Sequence, residues 1–599
     1  MPSKSSLSLL LTSLALFIFI SACSVATTPS PVASPSAPAP TATVPTELSA
    51  AISSTMPPNE AGETPGAAPA ESVRSLSPAQ GGALASASND WFATAGICVV
   101  CHQKNVDEAG NDVSNGEYWR STMMANSAKD PYYLAGVSIE VARYPEFGAV
   151  IEAKCNTCHM PMAHFSDTAQ GQQGLIFGED GYLDPQHPLH TMALDGVSCT
   201  ACHQIQDQGL GDFASFSGGM VFDLQTLPGQ RAIFGPFIPA RQGIMMMSRT
   251  SGFVPEQGAH LLQSELCATC HNLYTNYITE EGELSEDYFP EQTPYSEWLN
   301  SDYATQATCQ DCHMPPAEGA VILANRGPAI LRSPYAKHSF VGGNVYMLQV
   351  LKSFGGELGV QAGPEHFDAT IARTLKQLQT QTAALAVLNP VLTGATLDFD
   401  VLVDVLTGHK FPTSYPSRRA WLHVTVKDTN GQIVFESGGV GQDGAISGND
   451  NDVDPLAFEP HYDEITSPEQ VQIYEPTMHD VYGNVTTELL LAASYVKDNR
   501  LLPVGFDKGT VPDDIAPQGG ARMDDDFVGG TDTVTYRIDT GDANGPFTID
   551  VELLYQSIGY RWARNISTYD TEQAQLFSSY YNTLPNLPIV VASQSIETK

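Results

Sequence analysis

The pattern of apolar and polar positions divides the chain into four stretches. An apolar run from Leu7 to Ile20 comes first, and it is too short to span a bilayer. Residues 24–88 are mostly Pro, Ala, Ser and Thr with few aromatic side chains, so they cannot bury enough apolar area to offset the entropy of ordering. Folded structure is expected from about Asn89. No apolar run of roughly 18 residues follows residue 22, so no later transmembrane helix is expected.

The N-terminal run predicts a lipoprotein signal peptide over residues 1–22. Lys4 precedes the run, and the run ends in Ile20-Ser21-Ala22-Cys23, which resembles a bacterial lipobox. The resemblance implies a lipidated Cys23 at the mature N-terminus; plain secretion with an incidental Cys23 is the alternative. Residues 23–88 then form a disordered tether. We expect an exported protein that faces the periplasm or lies at the outer membrane or cell surface, and that touches the membrane through its lipid anchor only.

The C-terminal third changes from helical to alternating periodicity. Apolar residues at helical spacing predict a helix over about 367–387. From Leu397 to Val405 every second residue is apolar, which predicts a half-buried strand. A hairpin is expected over 421–436, a second strand pair over 533–555 and an inserted helix over 487–495. Residues 389–599 therefore indicate a β-rich domain resembling an antiparallel sandwich.

The charge balance excludes two classes of partner. The 599 residues hold 28 Lys and Arg against 67 Asp and Glu, a net charge of −39. Binding to nucleic-acid phosphates or to anionic lipid headgroups needs an excess of Lys and Arg. An acidic chain suits an exported protein, or one with basic partners.

Ten of the eleven cysteines form five C-x-x-C pairs, each followed directly by histidine. C-x-x-C-H is the attachment signature of c-type haem, in which the two thiols bond to the porphyrin and the histidine ligates the iron. A zinc site commonly uses two C-x-x-C units, so five units would leave one without a partner. Disulfide bonds would not require a histidine after every pair. The motifs predict five covalent haem c groups, held by Cys98, Cys101 and His102; Cys155, Cys158 and His159; Cys199, Cys202 and His203; Cys267, Cys270 and His271; and Cys309, Cys312 and His313.

These motifs complete the predicted architecture. The fold class is α+β, with a mostly helical and irregular pentahaem cytochrome c domain over residues 89–388, followed by the β-rich domain over 389–599. We expect short helices to carry the motifs, with loops rich in Gly and Pro between them.

Ten further histidines can supply the second axial ligand of each iron. A second histidine gives a closed, electron-carrying iron, a methionine raises the potential, and an open position permits substrate chemistry. The candidates for this distal position are His190, His260 and His338 first, then His409, His164, Met123 and Met124, with His187 as a substitute for His190. A surface or hydrogen-bonded histidine is the alternative for each.

Several segments resemble bacterial multihaem cytochromes c with a cytochrome c-554-like domain. They are Tyr118-Trp119-Arg120 with Met123-Met124, Asp195-Gly196-Val197-Ser198-Cys199, Cys309 to Pro315, and His338 to Gly343. The resemblance covers about residues 92–350 and implies electron transfer through mostly bis-histidine haems. The wider superfamily includes nitrite and hydroxylamine enzymes, but the C-x-x-C-K motif of ammonia-forming nitrite reductases is absent from the sequence.

Two features of the C-terminal third bear on ligands. Arg418 and Arg419 follow His409 closely and are candidates to pair with haem propionates, because guanidinium binds carboxylate in a bidentate manner. The oxygen-rich run Asn449 to Asp454 is a candidate Ca²⁺ site, and Asp524-Asp525-Asp526 is a weaker one. Solvated acidic runs are the alternative for both.

Three functions are compatible with this sequence. The first is electron transfer by five haems, with redox proteins or an extracellular acceptor as partners and no catalytic side chain. The second is an oxidoreductase that acts on a small nitrogen or sulfur compound at one open haem. The third is an adhesion or assembly module; the β-rich domain has no nucleophile and base signature.

Overall fold

The computed structural model describes residues 74–598. The predicted signal peptide, Cys23 and most of the predicted tether therefore lie outside the described residues. Within the described range, none of the helices combines the length and the apolar character needed to cross a membrane.

The last part of the predicted tether is ordered, which corrects its boundary at residue 88. The amides of Ser77 and Ala79 donate to the carbonyls of Ser353 and Lys352, and the Ala79 side chain is buried. Arg74 forms an ion pair with Glu357 at 2.9 Å. The composition of this segment predicts disorder, because its side chains bury little apolar area. The backbone hydrogen bonds to the helix at Val345–Phe354 offset the entropy lost when these residues become ordered.

The described residues contain sixteen α-helices, and thirteen of them lie before residue 382. They are α1 (Ala95–Val99), α2 (Asn115–Trp119), α3 (Pro131–Arg143), α4 (Gly148–His159), α5 (Pro161–Ala169), α6 (His190–Leu194), α7 (Cys199–Cys202), α8 (Arg241–Thr250), α9 (Ser264–His271), α10 (Pro294–Leu299), α11 (Cys309–His313), α12 (Val345–Phe354), α13 (Pro364–Gln381), α14 (Asp450–Val453), α15 (Tyr560–Ile566) and α16 (Glu572–Thr583). Most are one to three turns long, as the spacing of the motifs predicts.

The described residues contain eighteen β-strands, and all those of nine or more residues lie after residue 382. They are β1 (Arg231–Gly235), β2 (Phe253–Gln257), β3 (Leu273–Thr275), β4 (Phe289–Gln292), β5 (Val321–Ile322), β6 (Leu331–Arg332), β7 (Ala383–Thr393), β8 (Thr396–Val405), β9 (Arg419–Lys427), β10 (Ile433–Ser437), β11 (Glu464–Ile465), β12 (Ile473–Tyr474), β13 (Pro476–His479), β14 (Val485–Thr486), β15 (Ser494–Asp498), β16 (Thr531–Asp539), β17 (Thr548–Gln556) and β18 (Ile589–Glu597). The α+β class is confirmed.

Two larger sheets share one hydrophobic core. One has the order β10-β9-β17-β18 with β12 beside β9, and the other has the order β11-β16-β8-β7. Phe399 and Val534 of the second sheet are buried in the same cluster as Val424 and Val551 of the first. The strict alternation of buried positions along β8 produces this face, as the sequence pattern predicts.

Three local predictions differ from the structure. The strands β16 and β17 were expected to pair, but β16 pairs with β8 whereas β17 pairs with β9 and β18. The helix expected over 487–495 is a short 3-10 turn, Leu489–Leu491, followed by β15. The helix expected to reach residue 387 ends at Gln381, because Ala383 onward pairs with β8.

The predicted domain boundary at residue 388 crosses a continuous structure. Residue 388 lies inside β7, and two helices of the C-terminal third pack against helices of the first part. Phe577 of α16 and Ile566 of α15 share one buried cluster with Ile139 of α3 and Leu348 of α12. Elements from both predicted domains therefore line the site described below.

Candidate functional site

A cavity of about 1180 Å³ runs between the helices that carry the cysteine motifs. All five motif histidines line it, as do nine of the ten motif cysteines, with Cys101 the exception. None of these ten cysteines forms a disulfide bond among the described residues. The five motifs thus converge on one largely apolar interior.

Short helices place each motif on one face. Cys, Cys and His stand at positions i, i+3 and i+4, which share a side of an α-helix. The second motif ends α4, the fourth takes the second half of α9 and the fifth fills α11, while α7 holds the third motif up to Cys202. Only Cys98 of the first motif lies in α1; its Cys101 and His102 lie in the turn that follows. The predicted motif-bearing short helices are confirmed.

Backbone carbonyls orient four of the five motif histidines. Nδ1 of His102 lies 3.1 Å from the carbonyl oxygen of Leu323, and Nδ1 of His159 lies 3.2 Å from that of Ser127. Nδ1 of His203 lies 2.6 Å from the carbonyl oxygen of Phe234, and Nδ1 of His313 lies 2.6 Å from that of Val341. A carbonyl only accepts, so Nδ1 donates and the lone pair of Nε2 is left for a metal. These carbonyls lie 28 to 221 residues away along the chain, and no sequence signal indicated them.

Burial keeps the motif imidazoles neutral. Desolvation lowers the pKa of all five, and it lowers the pKa of His159 and His271 to about 4. A neutral imidazole is the form that ligates iron. The donor set, two thiols and one neutral imidazole for each motif around an apolar interior, therefore fits covalent haem.

Two of the predicted distal histidines face motif histidines. The ring of His338 lies 6.2 Å from that of His203, with planes 17° apart. The ring of His409 lies 6.2 Å from that of His313, with planes 13° apart. Two imidazoles that each bind a shared metal at about 2 Å have ring centroids roughly 6 Å apart. An iron between the two rings of either pair would therefore be within reach of both imidazoles.

The same tautomer is present in both distal candidates. Nδ1 of His338 lies 3.2 Å from the Ala336 carbonyl, and Nδ1 of His409 lies 2.9 Å from the Lys410 carbonyl. Burial lowers the pKa of His338 to about 3. The lone pair of Nε2 is thus left for a metal in both rings.

His260 and His164 lie elsewhere. Nε2 of His260 donates to the Ile205 carbonyl at 2.9 Å, so the lone pair expected to bind iron is not available there. Nε2 of His164 bonds to the Thr157 hydroxyl of the adjoining helix at 3.1 Å. Neither side chain lines the cavity. Both histidines are hydrogen-bonded in this arrangement, although the buried Nδ1 of His164 has no hydrogen-bond partner among the described residues. Their distal role stays a prediction.

The remaining candidates are divided between the cavity and its surroundings. Nδ1 of His190 donates to the Tyr182 carbonyl at 2.8 Å, so the lone pair of Nε2 is left for a metal. Neither His190 nor its substitute His187 lines the cavity. Met123 and Met124 both line it. Among the described residues, no histidine ring faces His102, His159 or His271 in the manner of the two pairs.

Thiols of different motifs are in contact. Cys98 lies beside Cys199, Cys158 beside Cys270 and Cys267 beside Cys309. The first motif therefore adjoins the third, and the fourth adjoins both the second and the fifth.

Polar groups stand in the cavity wall near His159 and His271. The ring of Tyr133 stacks on that of His159 at 3.7 Å, and the buried hydroxyls of Tyr132 and Tyr133 have no hydrogen-bond partner within residues 74–598. Arg418 also lines the cavity, and its charge lowers the pKa of His271. These groups could contact a small molecule or a cofactor substituent.

The two C-terminal arginines differ in their surroundings. Arg418 remains available in the cavity wall, as its predicted role requires. Arg419 forms a buried ion pair with Asp452 at 2.8 Å and donates to the side chain of Gln556 at 2.9 Å. The predicted propionate contact of Arg419 is therefore wrong. Asp452 in turn is the central carboxylate of the predicted calcium run 449–454, and it also accepts from the amide of Ile446.

A buried ionic network next to His409 was missed by the sequence reasoning. Lys410 pairs with Asp498 at 2.7 Å, and Arg500 bridges Asp498 at 2.8 Å and Glu297 at 2.9 Å. Glu297 also accepts from the amide of Lys410 at 3.2 Å. The network fixes the loop that carries His409. Its members are far apart in sequence, so only the cost of burying four charges could have indicated it.

One solved structure is similar to this chain. It is the crystal structure of a penta-heme cytochrome c552 from Thermochromatium tepidum, with 16% identity and a TM-score of 0.46 over 84% of this chain and 98% of that chain. No protein-family model matches the sequence, and no curated protein matches it.

Proposed function

We propose that the chain is an exported electron-transfer protein that holds five c-type haems. The observation that carries the proposal is the facing of His203 by His338 and of His313 by His409, each at 6.2 Å between ring centroids. Haem iron with two histidine ligands exchanges electrons but has no position for a substrate. The bound haems would supply one-electron redox chemistry, and the protein's part is to hold and orient them.

The residues of this chain divide that work. The motif thiols anchor each haem, and the motif imidazoles enter as neutral ligands because backbone carbonyls hold the proton on Nδ1. Arg418 is placed to pair with a haem carboxylate. The closeness of the thiols would set the haem of the first motif beside that of the third, and the haem of the fourth beside those of the second and the fifth. Electrons would pass between such neighbours without any proton transfer by side chains.

The acidic net charge of the chain supports redox proteins or an extracellular acceptor as partners. The net charge of −39 favours a partner with a basic docking face. The lipid anchor at Cys23, with the protein facing the periplasm or the cell surface, is part of this proposal. Assembly of haem c outside the cytoplasm agrees with an exported chain.

Intact-mass analysis of the mature protein tests the cofactor content. We expect five haem additions together with an acylated Cys23, and low-spin optical and paramagnetic resonance spectra for the two facing pairs. Four or fewer additions in fully matured protein contradict the count of five. Spectra that are high-spin throughout contradict the facing pairs.

A second candidate function is reduction or oxidation of a small nitrogen or sulfur compound at an open haem. The observation that favours it is the lack of a facing histidine at His159 and His271 among the described residues, beside the unpartnered hydroxyls of Tyr132 and Tyr133. Nitrite, hydroxylamine and cyanide distinguish the two functions. Slow or undetectable binding to the unmodified protein supports the carrier, whereas rapid binding with a large high-spin fraction supports the enzyme.

A further inference from the structure

Four carboxylates and one imidazole meet at the edge of the sheet that contains β16, outside the cavity. They belong to His461, Asp463, Asp524, Asp526 and Asp532. Ligand atoms of Asp524, Asp526 and Asp532 all lie within 4.8 Å of one another, and the same holds for His461, Asp463 and Asp524. Asp524 belongs to both groups and is buried.

The central carboxylate is held in place by the protein. Oδ1 of Asp524 accepts from the amides of Asp526 at 2.9 Å and Phe527 at 3.2 Å. Its Oδ2 accepts from Nε2 of His461 at 2.8 Å. Nδ1 of His461 accepts from the side-chain amides of Gln472 at 3.0 Å and Asn499 at 3.1 Å, so the ring proton lies on Nε2. His461 is therefore a positioning residue for Asp524, and its Nε2 is not free for a metal.

A buried oxygen in this cluster has no protein partner. Asp532 is 0% exposed, and its Oδ2 accepts from the hydroxyl of Tyr474 at 2.6 Å. Its Oδ1 accepts no hydrogen bond from any residue in the range 74–598. An unsatisfied buried carboxylate oxygen is costly, and native proteins rarely keep one without a ligand or bound water. The orphan oxygen belongs to a group that already converges on Asp524 and Asp526.

The cluster also lacks compensating positive charge. Among the described residues, no Lys or Arg forms an ion pair with Asp463, Asp524, Asp526 or Asp532. The nearby ammonium of Lys508 donates to the backbone carbonyls of Ala521 and Asp524 instead.

We propose that Asp524, Asp526 and Asp532 bind one calcium ion, with Asp463 beside them and His461 orienting Asp524. Oxygen ligands about 2.4 Å from a shared Ca²⁺ cannot lie more than about 4.8 Å apart, which is the limit within which these three fall. The ligands are all carboxylate oxygens, which suits a hard cation, while the one nitrogen is committed to a hydrogen bond. This site differs from the run 449–454, whose Asp452 is committed to Arg419.

The ion would fasten three segments of the C-terminal third. Asp532 stands near the start of β16, Asp524 and Asp526 lie in the loop before it, and Asp463 immediately precedes β11, which pairs with β16. A cation that binds only the folded arrangement stabilises it by mass action. We therefore assign the site a structural role in the β-rich region, at residues that do not line the cavity.

Calcium binding to the full-length haem-loaded protein tests the site. After chelator treatment and removal of the chelator, we expect one Ca²⁺ per chain by calorimetry, a rise in the thermal midpoint on adding Ca²⁺, and an unchanged haem spectrum. The variant Asp526→Asn should weaken binding at least tenfold. Asp525→Asn is the matched control, since Asp525 is adjacent but outside the cluster, and it should change the affinity less than twofold.

Three results would contradict the proposed calcium site or the assignment of its ion. No measurable Ca²⁺ binding by the chelator-treated protein overturns the proposal, as does equal weakening by Asp526→Asn and Asp525→Asn. Tighter binding of Zn²⁺ than of Ca²⁺ overturns the assignment of the ion. If Asp526→Asn does not fold, the calcium response of the unmodified protein still decides the question. A failure here with five haems intact leaves the electron-transfer proposal standing.

Discussion

The imidazole of His409 faces that of His313 with ring centroids 6.2 Å apart and planes 13° from parallel. His313 ends the fifth C-x-x-C-H motif, whereas His409 follows β8 in the region that the sequence assigns to a separate β-rich domain. The proposed iron site is therefore completed only when both regions of the chain have folded together. Haem loading and folding of the C-terminal third should be linked for this reason.

Replacing His409 or His338 by Ala should each convert one haem from low-spin to high-spin. The substitution removes the imidazole opposite His313 or His203 and leaves that iron open to water or cyanide. Optical and paramagnetic resonance spectra, with cyanide titration, measure the change. His423→Ala is the control, because His423 bonds to Glu436 and Glu552 on the sheet surface and should leave both signals unchanged. Unchanged spectra in both His338→Ala and His409→Ala contradict the assigned pairs.

Replacing Asp498 by Asn should lower the free energy of unfolding by about 3 to 5 kcal/mol, the usual cost of leaving a buried charge unpaired. Lys410, which is 0% exposed, would lose its carboxylate partner at 2.7 Å. Denaturant unfolding measures the loss. Asp398→Asn breaks the exposed pair with Arg537 and should change stability by less than about 1 kcal/mol. Equal effects of the two substitutions would show that the buried network does not hold the His409 loop.

Local chemistry was predictable from the sequence, and long-range pairing was not. The motif helices follow from the spacing of Cys and His alone, and the alternation along β8 determines its buried face. His260 was ranked high because it precedes a motif closely, yet its Nε2 is taken by the carbonyl of Ile205. The glycines that follow His338 favour close approach to a flat ring, and its imidazole lies 6.2 Å from that of His203. The partner of β16 could not be predicted, because adjacent amphipathic strands carry the same pattern whether they pair or join different sheets.

Replacing Cys23 by Ser should release the protein from membranes. The lipobox-like sequence Ile20-Ser21-Ala22-Cys23 makes that thiol the predicted site of lipid attachment, and the described residues contain no helix able to span a bilayer. Fractionation of cells that express each form, with haem absorbance as the tracer, measures the release. Ser24→Ala is a suitable control, since it keeps the thiol. Continued sedimentation of the Cys23→Ser protein with membranes would indicate another anchor.

The contribution of Glu140 to stability should fall as the pH rises from about 4 to 7. Burial raises the pKa of Glu140 to about 7, and the charges of Glu291 and Glu488 add to the shift, against an unfolded value of about 4.3. A carboxyl whose pKa is raised by folding favours the folded state below its unfolded pKa, and this contribution is lost as the pH rises through the folded pKa. The variant Glu140→Gln should flatten that part of the profile in denaturant unfolding at several pH values.

The matched control for this pH dependence is Glu146→Gln, which changes an exposed carboxyl just beyond the same helix. It should leave the profile of the unmodified protein intact. Glu140 also accepts from the amides of Leu489 and Leu490 at 2.9 and 3.2 Å, so its neutral amide replacement still offers an oxygen to that loop. Loss of stability by Glu140→Gln at every pH, with an unchanged slope, would mean that these hydrogen bonds outweigh the titration. A flattened slope with stability kept at pH 7 is the expected result, because the amide carries no charge for burial to penalise.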